Sequence, residues 1–208
     1  MKITIIDYKA GNLTSVRLAF EALGVPTIIT DDVKQILAAE KIVFPGVGAA
    51  GAAMANLHQL TLIEPVKKQI ADGVPFLGIC LGMQILFNKS EENDGTPGLS
   101  ILDGEVKRFI PPSHDIKIPH MGWNNVKITR PHPLLKGIVD RSEFYFVHSY
   151  YPITTVKERI YGITGYSGVN FTSIVGKNNV LATQFHPEKS GQIGLSLLAN
   201  FARWDGKC

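Results

Sequence analysis

Five residues constrain this chain more than its composition does: Gly78-Ile79-Cys80-Leu81-Gly82. Residues 75–80 are an apolar run that reads as a buried strand, and a helical pattern over 81–87 begins with no loop between them. A strand that becomes a helix within one residue strains the backbone there, and flanking side chains would clash; small neighbours relieve both. The pattern is that of a nucleophile elbow, with cysteine at the apex in place of serine. The helix N-terminus then faces the sulfur and favours the thiolate. A buried structural cysteine is a common alternative. With 20 glycines in 208 residues, two flanking glycines arise by chance at about 1 in 100 per cysteine, so the functional reading is preferred.

Such an elbow belongs to a parallel sheet with helices on both faces, and the order of elements agrees. Strands are expected over 2–7, 25–30, 41–45 and 75–80. Helices are expected from Asn12 to Gly24, over 31–40, and from Thr61 to 72, where Thr61-Leu62-Ile63-Glu64 reads as a capping box. A Gly/Ala-rich segment covers 46–57. After about residue 88 the rhythm changes. Residues 88–100 read as a polar loop, and strands follow at 105–109, 124–128, 144–151, 159–166, 171–175 and 180–185. Ser190 is placed to cap a last helix over 191–204. The expected architecture is α/β and mostly parallel, with added antiparallel strands. No linker or repeat interrupts it, so residues 1–208 are expected to form one domain.

Composition narrows the function classes. Charged residues make up 19% and the net charge is only +3, with the basic residues scattered, so no nucleic-acid footprint is expected. No apolar run approaches the length of a membrane span, and the first residues lack a signal-peptide core. A cytoplasmic protein is expected. Cys80 and Cys208 make neither a disulfide framework nor a zinc site, and no Walker motif occurs. Gly46, Gly48 and Gly51 match G-x-G-x-x-G, but no acidic residue ends a strand about 20 positions on. No metal or cofactor is expected.

A thiol nucleophile needs a base and a group to orient that base. Of the six histidines, His58 falls on a helix, while His114 and His132 sit in proline-containing loops and are expected to be solvated. His120 and His148 lie in or at the end of strands. His186 is the best candidate. In Gln184-Phe185-His186-Pro187-Glu188 a strand ends at His186, and residues i and i+2 of extended backbone point the same way. Glu188 can then hold His186 and stabilise its charged form. For the oxyanion, the Leu81 N–H is one donor. Phe44-Pro45-Gly46-Val47-Gly48, after the third strand, supplies a second from Gly46 or Val47.

These stretches together resemble the class I (triad-type) glutamine amidotransferases, over essentially the whole chain. The resemblance rests on residues 7–13, 44–48, 78–84, 117–124, 144–151 and 186–191. Pro119-His120-Met121-Gly122-Trp123-Asn124 is the stretch more specific to one branch, whose synthase partner is a HisF-like (β/α)8 cyclase of histidine synthesis. The resemblance implies a flavodoxin-like core and glutamine hydrolysis by Cys80, His186 and Glu188 through a thioester. It also implies Gln84 as a substrate-holding residue, backbone groups of Ser149 and Tyr150 beside it, and delivery of ammonia to the cyclase in a heterodimer. The cyclase products would be imidazole glycerol phosphate and aminoimidazole carboxamide ribotide. Asn12, Trp123 and Lys189, on the rim around Cys80, are the candidates for partner contact. Two positions depart from the family pattern: Lys9 stands where glycine is usual, and Asp103 where proline is usual. Lys9 leaves open a paralogue that feeds another synthase, such as one aminating a surface sugar. A stand-alone cysteine hydrolase fits less well with Gln84 and His-Pro-Glu, and a silent binding subunit less well with three intact candidate residues.

Overall fold

The computed structural model describes residues 2–113 and 115–207. In chain order its strands and helices are β1 (Ile3–Ile6), α1 (Leu13–Ala22), β2 (Thr27–Thr30), α2 (Val33–Leu37), β3 (Lys41–Gly46), α3 (Ala50–Gln59), α4 (Ile63–Ala71), β4 (Phe76–Cys80) and α5 (Leu81–Gln84). There follow β5 (Lys89–Ser90), β6 (Thr96–Pro97), β7 (Glu105–Arg108), β8 (His120–Asn125), β9 (Lys127–Ile128), β10 (Glu143–His148) and β11 (Tyr150–Ile153). The chain ends with β12 (Ile160–Tyr166), β13 (Val169–Lys177), β14 (Val180–Thr183) and α6 (Gly191–Arg203).

The main sheet has the order β2-β1-β3-β4-β14-β13-β12-β9. From β2 to β14 every pairing is parallel, and from β14 outward every pairing is antiparallel. Strand alternation divides its core between two faces. Ile3, Ile5, Val43, Leu77 and Ile79 pack with Phe20 of α1 and Leu197, Leu198 and Phe201 of α6. Ile6, Ile42, Phe44 and Phe76 pack with Ala53 and Leu57 of α3 and Val66 and Ile70 of α4. The ends of β3, β4 and β14 therefore share one edge of the sheet, the edge where sites form in parallel α/β folds.

Several expected elements differ, each for a tertiary reason. The helix expected over 81–87 is the single turn α5. Leu86 N and Phe87 N bond three residues back, to Met83 O and Gln84 O at 3.2 Å, so the end tightens into a turn. The carbonyls of Ile85, Leu86 and Phe87 accept from Leu99, Ile101, Leu102 and Ser100 of the returning loop. The run 144–151 divides at Ser149 into β10, paired with β8, and β11, paired with β7. The capping box is not formed: Thr61 has φ +56, its hydroxyl donates to Leu60 O, and Leu62 is the unassisted N-cap of α4. Ser190 does not cap α6 with its side chain. Its Oγ donates to His186 O at 2.6 Å and accepts from Tyr145 N at 3.0 Å. Asn12 does cap α1, accepting from Ser15 N at 3.2 Å.

Candidate active site

β4 delivers Cys80 to the sheet edge in a conformation few residues adopt. Its φ is +54 and its ψ −107. The two glycines are required by space. A Cβ at Gly82 would lie 2.0 Å from Phe44 O, and one at Gly78 would lie 2.7 Å from Gly82 O. Those contacts let β3 and α5 close on either side of the cysteine. The thiol is buried and donates toward Val147 O at 3.8 Å.

β14 runs beside β4 and leads into the candidate base, His186. The side chains of His186 and Glu188 are both 2% exposed, and His186 Nδ1 meets Glu188 Oε1 at 2.7 Å. The carboxylate can only accept in that bond, so Nδ1 carries the hydrogen and Nε2 is free for the sulfur. Nε2 has no hydrogen-bond partner among the described residues. Burial by itself lowers the His186 pKa; the charge of Cys80, with Glu188 after it, outweighs burial and pushes it up to about 10. The segment is tied down from below, with His186 N on Tyr145 O at 2.9 Å and Ser190 bridging back to β10.

A cavity of about 350 Å³ opens above the thiol. Val47, Gly48 and Leu81 line it on the side of the expected oxyanion hole, and Gln84, Val147, Ser149 and Tyr150 on the other. Gly46 lies behind this wall, paired with Cys80 across the sheet, where a Cβ would meet Leu81 Cβ at 2.6 Å. Tyr8 sits beneath the loop, stacked on Phe44. Burial raises its pKa, and its hydroxyl oxygen has no hydrogen-bond partner among the described residues.

Tyr150 O organises the opposite wall. It accepts from Gln84 Nε2 at 2.9 Å and from His148 Nδ1 at 2.7 Å. Both lone pairs are used, so this carbonyl holds the site together and has no capacity left for a substrate. The carbonyl also fixes the tautomers behind it. His148 carries its proton on Nδ1, Nε2 accepts from His120 Nδ1 at 2.9 Å, and His120 Nε2 accepts from Asn124 Nδ2 at 3.2 Å. Burial pushes the two imidazoles down to about 3 and about 4 respectively, so both are neutral near pH 7. Neither is placed as the base. His132 is buried, not solvated, and is likewise pushed down by burial to about 4; His58 ends α3. His114 and Cys208 lie outside the described residues.

Two polar groups escaped the reading of the chain. Glu92 is the cavity's one lining carboxylate among the described residues, and its Oε2 accepts from Ala50 N at 2.6 Å. It comes from the segment expected to be a featureless loop, and nothing local marks it. Gln184 is fully buried and contacts the sulfur. Pro187–Lys189 is a 3₁₀ turn, so Glu188 meets His186 across that turn and not by the extended alternation expected of the chain; β14 ends at Thr183, one residue before Gln184.

The three rim candidates separate. Trp123 is 54% exposed beside Met121 at 62%. Its ring meets Tyr145 edge-on at 6.2 Å, and Lys189 Nζ lies 5.9 Å from the same Tyr145 ring. Asn12 has a local task at the start of α1. Lys9 has φ +63, the left-handed region that explains glycine as the usual residue. It is held there by Asp7, which accepts from Lys9 N at 2.8 Å, and by an ion pair to Asp31 at 2.7 Å.

A larger cavity, about 870 Å³, lies between residues 128 and 140, but it shares no lining residue with the cavity at Cys80. Among the described residues no cluster of three or more metal-ligating side chains occurs, and no helix is long and apolar enough to cross a membrane.

A sequence model of the class-I glutamine amidotransferase family matches residues 4–203. The chain is 52% identical over 200 residues to a protein of Methanocaldococcus jannaschii named imidazole glycerol phosphate synthase subunit HisH, covering 96% of this chain and 97% of that one. It is 49% identical to the protein of that name from Moorella thermoacetica, covering 96% and 93%. Among solved structures it superposes on PurLQS from Thermotoga maritima with a TM-score of 0.76, at 16% identity and 97% coverage of both chains. A structure described as a glutamine amidotransferase gives 0.74 at 15% identity, covering 97% of this chain and 99% of that one. At those identities the structures speak for the fold alone.

Proposed function

The chain belongs to the class-I glutamine amidotransferase family, and from that premise we propose how its site divides the chemistry. It is the glutaminase subunit of an imidazole glycerol phosphate synthase, hydrolysing L-glutamine to L-glutamate and ammonia for a partner subunit. We assign the nucleophile to Cys80, the base to His186 and the orienting group to Glu188, within one domain spanning residues 1–208. The Cys80 thiolate attacks the side-chain amide carbon. The C–N bond then breaks, and the His186 imidazolium gives its proton to the departing ammonia. Water, deprotonated by His186, cleaves the glutamyl thioester and returns the thiolate.

The observation that carries this reading is the buried alignment of Glu188, His186 and the strained Cys80 under a small cavity. The Glu92 carboxylate suits the substrate's ammonium, and Gln84 Oε1 and the Ser149 backbone lie across from it. Leu81 and the Gly46–Val47 peptide supply the oxyanion donors once docking turns the Val47 N–H to the cavity; losing one such donor costs about 10²–10³ in rate. Free chain should therefore hydrolyse glutamine poorly, and the complex carrying its acceptor ligand should do so well. The finer identity of the partner, a HisF-like (β/α)8 cyclase docking on Trp123 and Lys189 with Asn12 at the rim, and a cytoplasmic location belong to the same proposal. Lys9 is accommodated without change to the site, so nothing in its surroundings favours a different synthase. The test is steady-state glutaminase activity of the free chain, the complex and the liganded complex, with mass-spectrometric trapping of a glutamyl adduct. An adduct on any residue other than Cys80, or equal activity in all three states, would overturn this reading.

A further inference from the structure

Behind the cavity, three amide and thiol groups form a chain whose atom assignments are forced from one end. Tyr150 O can only accept, so the Gln84 atom facing it is Nε2. The same nitrogen lies 3.0 Å from the side chain of Gln184, so the Gln184 atom there must be Oε1. The other amide atom of Gln184 is then Nε2, and it lies 3.5 Å from Cys80 Sγ, within reach of a sulfur acceptor. Both hydrogens of the Gln84 amide are used, which leaves Gln84 Oε1 as a pure acceptor facing the cavity. Gln184 does not line the cavity. Its backbone N–H is anchored on Ser173 O at 2.9 Å, so its side chain is presented from a fixed strand end.

We propose that Gln184 has two tasks in glutamine hydrolysis: it donates a hydrogen bond to the Cys80 thiolate, and it locks the Gln84 amide with its carbonyl toward the substrate. Toward Cys80 it acts on the reacting atom; toward the substrate it is a positioning residue working through Gln84. An apolar side chain of equal length would fill the same space, so a polar group that is fully buried here calls for a polar reason. The amide alone supplies a donor on one side and an acceptor on the other. A carboxylate lacks the donor and a hydroxyl lacks the reach.

This inference rests on the glutaminase reading, and the experiment separates the two. In the complex with its synthase partner, the pH dependence of Cys80 alkylation by iodoacetamide is measured alongside kcat and KM for glutamine. Thermal unfolding and co-elution with the partner report on folding. Gln184→Met removes both contacts: the alkylation midpoint moves to higher pH, kcat/KM falls about 10- to 100-fold and KM rises. Gln184→Glu keeps an acceptor for Gln84 and sets a negative charge beside the sulfur: the midpoint moves further, while KM stays near the parent value. If Gln184→Glu does not fold, Gln84→Met takes its place, and adding Gln184→Met to it then leaves KM unchanged. An alkylation curve and a KM in folded Gln184→Met that match the parent protein overturn the proposal. Equal KM increases in Gln184→Met and Gln184→Glu, or additive ones in the Gln84 cycle, overturn the locking task. A parent protein that does not hydrolyse glutamine would instead sink the glutaminase reading, and the alkylation shift would still be measurable.

Discussion

The two walls of the cleft are built on different principles. The nucleophile wall comes from the parallel half. Its parts are neighbours in the chain or in adjacent parallel strands: Gly78, Cys80 and Gly82 within five residues, and Gly46 paired with Cys80. It is defined by what cannot fit, since a Cβ at Gly82 would meet a backbone oxygen at 2.0 Å. The opposite wall comes from Gln84 of α5 and from two small sheets outside the main one, through β8, β10 and β11. It is defined by what must be hydrogen-bonded, with Gln84, His148, His120 and Asn124 all traced to Tyr150 O. Steric definition is local and rigid. Definition by hydrogen bonds spans long sequence separations and makes the wall depend on β8, where the exposed Trp123 lies. The first wall is suited to holding strain at a nucleophile, and the second to sensing what docks outside.

The sharpest break to this comparison is at the nucleophile itself. Cys80→Ala should abolish glutamine-dependent synthesis, a loss of about 10⁴-fold or more, while the partner's ammonia-dependent reaction in the same complex is retained. Labelling by an electrophilic glutamine analogue should vanish with it. Loss of both reactions would mean that the substitution acts on the assembly and not on the chemistry.

The base and its carboxylate come next. His186→Ala should approach the Cys80→Ala defect, and Glu188→Ala should cost less, about 10²–10⁴-fold, because the carboxylate positions and does not transfer the proton. The double variant should be little worse than His186→Ala. If His148→Ala matched the Cys80 defect while His186→Ala stayed active, the catalytic pair would have to be sought on the other wall.

Gly82→Ala tests the steric wall by stability. Closing β3 onto α5 around an added methyl should cost about 1–3 kcal/mol, seen as a lower Tm and a slower alkylation of Cys80. The matching test of the other wall is Trp123→Ala. It should leave the Tm of the free chain nearly unchanged, because the ring is over half exposed, and weaken partner binding about 10-fold. Calorimetric titration with the synthase partner subunit reads this directly, and unaltered affinity would move the docking face elsewhere.

The smallest effect concerns pH. His120, His132 and His148 are held well below their ordinary value near 6.5 by burial. As pH falls through that value the unfolded chain takes up protons first, so the folded state loses stability down to about pH 4. His186 has the opposite sign: its contribution is complete below 6.5 and is lost as pH rises toward about 10. His132→Asn keeps an acceptor for the Leu134 N–H and removes one depressed imidazole. Its Tm should fall less than that of the parent protein between pH 7 and about 4.5; a Tm that falls as steeply would deny His132 this share.

Much of this was legible in the chain because it depends on near neighbours. Apolar runs mark β1, β3 and β4 since a strand buried on both faces has no polar position. The elbow is legible because its strain is relieved by residues two positions away. The His186–Glu188 pair is legible from its close spacing alone, since Pro187–Lys189 is a 3₁₀ turn and not the extended backbone expected. Gln184 is as near His186 in the chain as Glu188 is, but nothing in the chain says that the thiol lies beside it. What only the tertiary structure decided are choices between competing hydrogen-bond partners. The turn over 85–87 has its carbonyls taken up by a loop returning from 99–102. Whether 144–151 is one strand or two depends on β7 and β8 each claiming a half. Glu92 becomes part of the cavity only because its carboxylate meets the Ala50 N–H across 42 residues. A backbone or side-chain group bonds to whichever partner the fold brings within about 3 Å, and that distance is set by packing far from the residues concerned.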